Sequence, residues 1–276
     1  MQYEVLKSRL LREYNIKIKY GELKIPYRES ILSSIKKKLT YEQHHNGKTI
    51  YAELEVIVKS LGNVDEEHNE YSFNILKTGY KKTVEVDPSS PKYIGVNASK
   101  ELIRSLESMP EEYKKAIEEA VNNSLLAGKV LGYKMIGVSV EIIGGKWSNV
   151  RSNESAFRLC ASELLSQSLN QASPCLLEPY MELTLTVPDF CVKEIMTDII
   201  VNRGGEVIIP EETELSKNVG SLKKKLTAIL PLSEVNNYGS YIRAITKGHG
   251  SYTEEFCEYR PLSKEKTRKL LENCST

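Results

Sequence analysis

Three stretches of the 276-residue sequence hold residue types and spacings that could do chemistry. Gly47-Lys48-Thr49 has the ending of a phosphate-binding loop, in which backbone N–H groups cradle phosphates and the lysine reaches them. That loop needs a glycine at position 42, which is Glu42, and a helix after Thr49, where the residues read as a strand. His44-His45 offers two metal-binding nitrogens, yet His68 and His249 lie far off in sequence and no acid or cysteine cluster completes a site. The third stretch follows Gly144-Gly145, read as a tight turn from which Lys146, Trp147, Asn149 and Arg151 project. A lone tryptophan between basic residues is expected to be exposed there, able to stack on a base while the cations engage phosphate; the plainer reading is ordinary surface. Lys36-Lys37-Lys38 and Lys223-Lys224-Lys225 read more simply as solvated faces. No Ser-His-Asp, Cys-His or paired-carboxylate spacing stands out.

These residues need elements to hold them. Asn46-Gly47 joins two strand-like runs within 30–60, and Asn-Gly is the strongest short-range hairpin signal because both residues accept positive φ. Ile50, Ala52, Leu54 and Val56 alternate on one face, which predicts a strand packed on one side. Residues 62–92 read as strand and loop at a domain edge, with one apolar segment at 71–76. Ser108-Met109-Pro110-Glu111 predicts a capped helix start, with Tyr113, Ala116, Ile117, Ala120, Val121 and Leu125 on one face and a stop at Gly128. A strand over 134–143 and a helix carrying Ala156, Leu159, Cys160, Leu164 and Leu165 follow. Ser173-Pro174 breaks the chain. Beyond it, strands at 181–187, 206–209, 226–230 and 251–259 alternate with helices at 192–201 and 233–245. That order, βαββαβ, is the ferredoxin-like arrangement.

Composition sets the limits. With 40% hydrophobic residues the chain can bury two cores of about 100 to 150 residues each. The 38 basic and 37 acidic residues nearly cancel, so bulk charge gives no reason to expect adhesion to nucleic acid or membrane, and any RNA contact must come from local patches. No apolar run approaches the roughly 18 to 20 residues of a membrane-spanning helix. Tyr3, Leu6, Leu10 and Tyr14 sit at helical spacing beside Glu4 and Glu13, which fits a folded amphipathic helix better than an acid-poor transit peptide. Five cysteines without a Cys-x-x-Cys pair indicate neither zinc ribbon nor disulfide framework and read as reduced thiols.

Several segments, taken in order, resemble the C-terminal half of elongation factor G. Leu10-Leu11-Arg12-Glu13-Tyr14 followed by Pro26-Tyr27-Arg28-Glu29-Ser30 is similar to the passage from that family's third domain into its fourth. Gly144 to Phe157, with Ser152-Asn153-Glu154-Ser155-Ala156-Phe157, resembles the fourth-domain tip loop and the helix behind it. Leu177-Glu178-Pro179-Tyr180-Met181 resembles the start of the fifth domain. Arg203-Gly204-Gly205, Pro231-Leu232-Ser233-Glu234, Tyr238, Arg243 and Thr246-Lys247-Gly248-His249-Gly250 match the fifth-domain pattern.

The resemblance implies an α+β chain: residues 1–24 as the end of domain III, 25–174 as domain IV and 175–276 as ferredoxin-like domain V. Domain IV would be an α/β sandwich like domain 2 of a small-subunit ribosomal protein. It also implies a ribosome-inserting tip formed by the loop of Lys146, Trp147, Ser148, Asn149 and Arg151 together with the other tip segment, earlier in the chain, of His44, His45, Asn46 and Lys48. Family members bind GTP and magnesium in an N-terminal domain that this sequence does not include, so no catalytic, cofactor or metal residue is expected here. Translocating members carry Gly-Gln-Tyr-Gly in the first tip segment and a histidine aligned with Ser148; Glu42 to Tyr51 and Ser148 depart from both. These departures resemble the mitochondrial ribosome-releasing branch, which splits ribosomal subunits with ribosome recycling factor. The expectation is therefore a monomeric, ribosome-binding recycling protein of the mitochondrial matrix, with no membrane partner. A translocase fragment and a stand-alone RNA-binding module are the alternatives.

Overall fold

The computed structural model describes residues 2–17, 24–45, 48–62, 69–73, 84–85, 102–105, 108–208, 223–236 and 238–274. Most of the 62–92 segment lies outside them. The chain opens with helix α1 (Gln2–Tyr14), whose Leu6 and Tyr14 side chains are exposed. The helix expected from their spacing is present, and these members of its apolar face are in water.

Strands β2 (Ile35–His45) and β3 (Lys48–Ser60) form the expected hairpin, paired from Ile35↔Val58 out to His45↔Lys48. Asn46 and Gly47, at its turn, lie outside the described residues. Ala52, Leu54, Val56 and Val58 are fully buried, so the period-2 pattern does set the inward face. Strand β7 (Val138–Ser148) pairs with β3 on one edge. Its other edge takes β4 (Glu70–Phe73) in parallel and β6 (Leu102–Ser105) antiparallel, and β5 (Val84–Glu85) extends β6. Helices α2 (Glu111–Leu125) and α3 (Glu154–Gln171) cover one face, packing Ile117, Val121, Phe157, Leu164 and Leu165 onto Leu54, Val56, Val140 and Ile142.

Three local expectations need correction. Gly144-Gly145 does not end the strand. Gly144 pairs with Glu55 and Gly145, at φ +149°, with Leu54, next to a register shift that leaves Ile143 as the extra residue of a bulge, and β7 continues to Ser148. Helix α2 starts at Glu111 with Pro110, not Ser108, at the capping position, so the proline stands one residue outside the first helical turn expected for it. Leu159, assigned to the buried face of α3, is 47% exposed, while Cys160, Leu164 and Leu165 are buried as expected.

The second sheet is built around β8 (Pro174–Pro188), far longer than the 181–187 run expected. Its neighbours give the order β11-β8-β10-β9, from β9 (Glu206–Ile208), β10 (Lys223–Pro231) and β11 (Ser251–Pro261), all antiparallel. Helix α4 (Val192–Thr197), prolonged by a π turn at Asp198–Asn202, and α6 (Tyr238–Ile245) cover one face. This is the ferredoxin-like order. The helix expected at 233–245 is split, with α5 (Leu232–Val235) as a separate turn, and a final helix α7 (Lys264–Cys274) was not foreseen.

The base of β8 also pairs with β1 (Arg28–Ile31), joining the two parts of the chain. Glu29 in β1 is fully buried, and its carboxylate accepts N–H bonds from Val130 (2.8 Å), Leu131 (2.9 Å) and Tyr133 (3.0 Å). A Cβ at Gly128 would collide with that carboxylate, which is why glycine stands there. Glu29→Ala removes the acceptor of three half-buried N–H donors and is expected to cost about 3 kcal/mol, since each unsatisfied group costs about 1 to 3. Gly128→Ala should lose a comparable amount by displacing the same carboxylate. Urea unfolding of the two variants and of the double variant checks this, and strongly sub-additive losses are expected because both act on one contact.

Candidate functional site

The two segments assigned to the tip meet at one end of the first sheet. The Tyr51 N–H donates to Arg151 O (3.0 Å), which sets the β7–α3 turn against the root of the hairpin's outer half. The turn is closed from within. Ser148 is fully buried, and its hydroxyl accepts the N–H groups of Val150 (3.3 Å) and Arg151 (3.2 Å), the way a serine side chain commonly replaces backbone in a turn. The Ser148 N–H donates to Ser152 Oγ (2.8 Å), which donates to Tyr51 O (2.6 Å), and Tyr113 OH donates to Ser152 O (3.1 Å). Asn153 then caps α3, its Oδ1 accepting the Ala156 N–H at 2.7 Å.

Trp147 is not an exposed stacking residue. It is 7% exposed and packs edge-on to Tyr113, ring centroids 6.1 Å apart, while Tyr113 stacks on Phe157 at 5.3 Å. The bulge at Ile143 shifts the strand's alternation by one residue, so Trp147 falls on the helix side with Val138, Val140 and Ile142. Arg151 is not free to engage phosphate either. Its side chain is 6% exposed, its Nη1 donates to Glu42 Oε1 at 2.8 Å, and its guanidinium lies 5.2 Å from the Tyr51 ring centre. Burial and the neighbouring Glu53 carboxylate push the Tyr51 phenol well above its ordinary range, so it stays neutral beside the cation.

Exposed residues of the tip, among those described, include Lys146, Asn149, Val150, Asn153, Glu42, Gln43 and His44. Lys146 Nζ sits 3.9 Å from Glu53, a carboxylate that Lys38 holds at 3.0 Å. His44 Nδ1 lies 2.6 Å from Thr49 Oγ1 across the hairpin. His45 and Lys48 are the last described backbone pair, and Asn46 lies outside the described residues. Among the described residues no group of three or more His, Cys, Asp or Glu gathers to hold a metal. Burial pushes the Cys160 thiol up to about 12 and the Cys175 thiol to about 11, so both are protonated at neutral pH and poor nucleophiles.

A second exposed basic group, which includes part of the Lys223-Lys224-Lys225 run read from the sequence as a solvated face, lies on the ferredoxin-like sheet. Register puts the end of β8 beside the starts of β10 and β11, with Lys223↔Pro188 and Ser251↔Thr186. Exposed Lys223, Lys224, Lys247, His249 and Phe190 occur at this end. Thr246 fixes the α6–β11 turn, donating to Ile242 O (2.6 Å) and accepting the Gly250 N–H (2.9 Å). Only strand register, invisible in the sequence, shows that Lys223-Lys224 and Thr246-Lys247-Gly248-His249-Gly250 share an end.

Trp147→Ala removes a buried ring and should lower stability by about 3 to 5 kcal/mol. Val150→Ala, at an exposed turn position, should change it by less than about 0.5 kcal/mol. Chemical denaturation monitored by circular dichroism measures both. An unaltered midpoint for Trp147→Ala would return that ring to the surface.

Comparison with known proteins fits this architecture. The elongation factor G domain IV family matches residues 80–173, and the elongation factor G C-terminus family matches residues 175–270. Elongation factor G of Petrotoga mobilis is 27% identical over 272 residues, covering 98% of this chain. Its counterparts in Fervidobacterium nodosum and Thermotoga maritima are each 26% identical, over 272 and 271 residues, with the same 98% coverage. The chain spans about a third of these relatives, 34% of each. A crystal structure from Thermus thermophilus shares the fold at a TM-score of 0.70 and 22% identity, over 98% of this chain and 34% of that one. The chain belongs to the elongation factor G superfamily and corresponds to its C-terminal part, domain IV followed by the C-terminal domain.

Proposed function

We propose that this chain is the ribosome-engaging arm of a translational GTPase, and that its work is to separate ribosomal subunits after termination together with ribosome recycling factor. In this reading a GTPase domain elsewhere in the parent protein binds GTP and magnesium and supplies the energy. The arm delivers force through the tip. The compartment assigned is the mitochondrial matrix, on the resemblance to the mitochondrial ribosome-releasing branch.

The observation that carries the reading is the construction of the tip. Where the family resemblance places a histidine in translocating members, Ser148 is buried, and its hydroxyl is occupied by two N–H groups of its own turn. The first tip segment, glycine-rich in those members, is here a regular two-stranded ribbon from Glu42↔Tyr51 to His45↔Lys48. A stiff ribbon bound to a closed turn suits pressing against a protein better than following a moving nucleic acid. The second reading, translocation, draws on the relatives, which carry the name elongation factor G over 98% of the chain. A stand-alone RNA-binding module is the third.

The parent protein, GTPase domain included, is tested for subunit splitting by light scattering with recycling factor and GTP, beside translocation on a programmed ribosome. Splitting that requires recycling factor, with translocation near background, is the expected result. Rapid translocation without splitting would establish the second reading instead.

A further inference from the structure

We propose that Arg151 is a positioning residue that locks the β2–β3 ribbon to the β7–α3 turn, so that the two tip segments present themselves as one rigid edge. The ribbon needs such a lock. Strand β7 supports β3 only as far as Glu53↔Lys146, leaving the pairs from Tyr51 to Lys48 without a third strand. At about 3.3 Å per residue, the five residues from Glu53 to Lys48 project roughly 17 Å past that last pair. A two-stranded ribbon in water is marginally stable by itself. On its inner face Tyr41 and Ile50 pack on the core. On its outer face the Arg151 guanidinium does two things at once. Its Nη1 donates to Glu42 from β2 at 2.8 Å, and its Cζ stands 5.2 Å from the ring centre of Tyr51, the residue of β3 directly opposite Glu42.

One side chain thus grips both strands at the same rung, while its own backbone oxygen accepts the Tyr51 N–H. The turn that carries Arg151 is held by Ser148 and Ser152, so the grip is anchored rather than floating. The pair is largely withdrawn from solvent on the arginine side, which limits screening by salt. Lysine keeps the charge but has neither a planar face nor a forked edge, so it satisfies at most half of this geometry.

The proposal rests on the reading of this end as the contact tip only for its biological consequence; the bracing itself is a property of the free chain. Hydrogen exchange by mass spectrometry is measured on the 276-residue chain for Arg151→Ala, Arg151→Lys and Glu42→Gln. Amides at 42–51 are expected to exchange at least tenfold faster in Arg151→Ala and Glu42→Gln, less so in Arg151→Lys, while those of α3 and β8 keep their rates. Unchanged exchange at 42–51 in Glu42→Gln, or an equal rise throughout α3, overturns the lock. The same proteins are then sedimented with ribosomal subunits, where Arg151→Ala should lose about tenfold in affinity and Arg151→Lys recover part of it. If the unsubstituted chain binds no subunit, the contact-tip reading fails while the exchange result still decides the lock.

Discussion

The relation between the two sheets hangs on Glu29. Its carboxylate is closed off from water, and its charge is balanced by three backbone N–H groups of the 130–133 segment, an arrangement that acts as an anion nest. The same residue bonds through its backbone, donating to Lys134 O at 3.0 Å and accepting the Ile136 N–H at 2.9 Å. Met135 in turn donates to Leu125 O at the end of α2, and β1 pairs with the base of β8 through Glu29↔Leu176. Through its side chain and backbone together, this one residue holds the 130–136 segment, which follows α2, against the strand that pairs with the base of β8. Ile136, Leu177 and Tyr259 form a small apolar cluster beside this junction, and the Arg28 guanidinium stands 5.9 Å from the Tyr259 ring centre.

Much of this was legible where periodicity and burial agree. The hairpin around Asn46-Gly47, the apolar faces of α2 and α3 and the βαββαβ order could be read because one face of each element is apolar and the other polar. What could not be read depends on partners distant in sequence. Gly144-Gly145 looks the same whether it makes a turn or stands beside a bulge, and the choice falls to β3, which continues pairing with β7 past the glycines. That choice decides the side on which Trp147 lies. Arg151 looked like a free cation because Glu42, its partner, is more than a hundred residues earlier. Helix α7 has a polar composition and its exposed face dominates, so no apolar stripe announced it.

The lysine runs illustrate a related limit. In β2 the alternation of a strand separates Lys36 and Lys38 from Lys37. Lys36 lies 3.1 Å from Glu55 and Lys38 3.0 Å from Glu53, while Lys37 reaches Gln171 at 3.2 Å. With Lys59–Glu141 at 3.0 Å and Arg151–Glu42 at 2.8 Å, the outer face of this sheet carries cross-strand pairs of opposite charge. The exposed pairs are each worth at most about 1 kcal/mol. Their effect is on register, because a one-residue slip would set lysines against the apolar face.

At 22% identity to the solved Thermus thermophilus structure nearly four positions in five differ, yet the fold is shared at a TM-score of 0.70. The motif residues that carry the family resemblance explain why, since several of them solve problems of backbone geometry rather than of contact. Glu29 fills the nest that Gly128 leaves room for, and Thr246 holds a turn in which a Cβ at Gly250 would meet its side chain at 2.7 Å. Glu178, also buried, lies 3.7 Å from Lys266 and ties α7 to β8. Such residues resist substitution because each replacement strands a buried polar group or forces a collision, whatever the protein does. The tip combines both kinds of residue: Trp147, Ser148, Arg151 and Ser152 are buried and hold the turn, while Lys146, Asn149 and Val150 face solvent. Likeness of fold therefore reaches as far as the family, and the side chains that can differ at little cost to the fold are the solvent-facing ones at the end of β7.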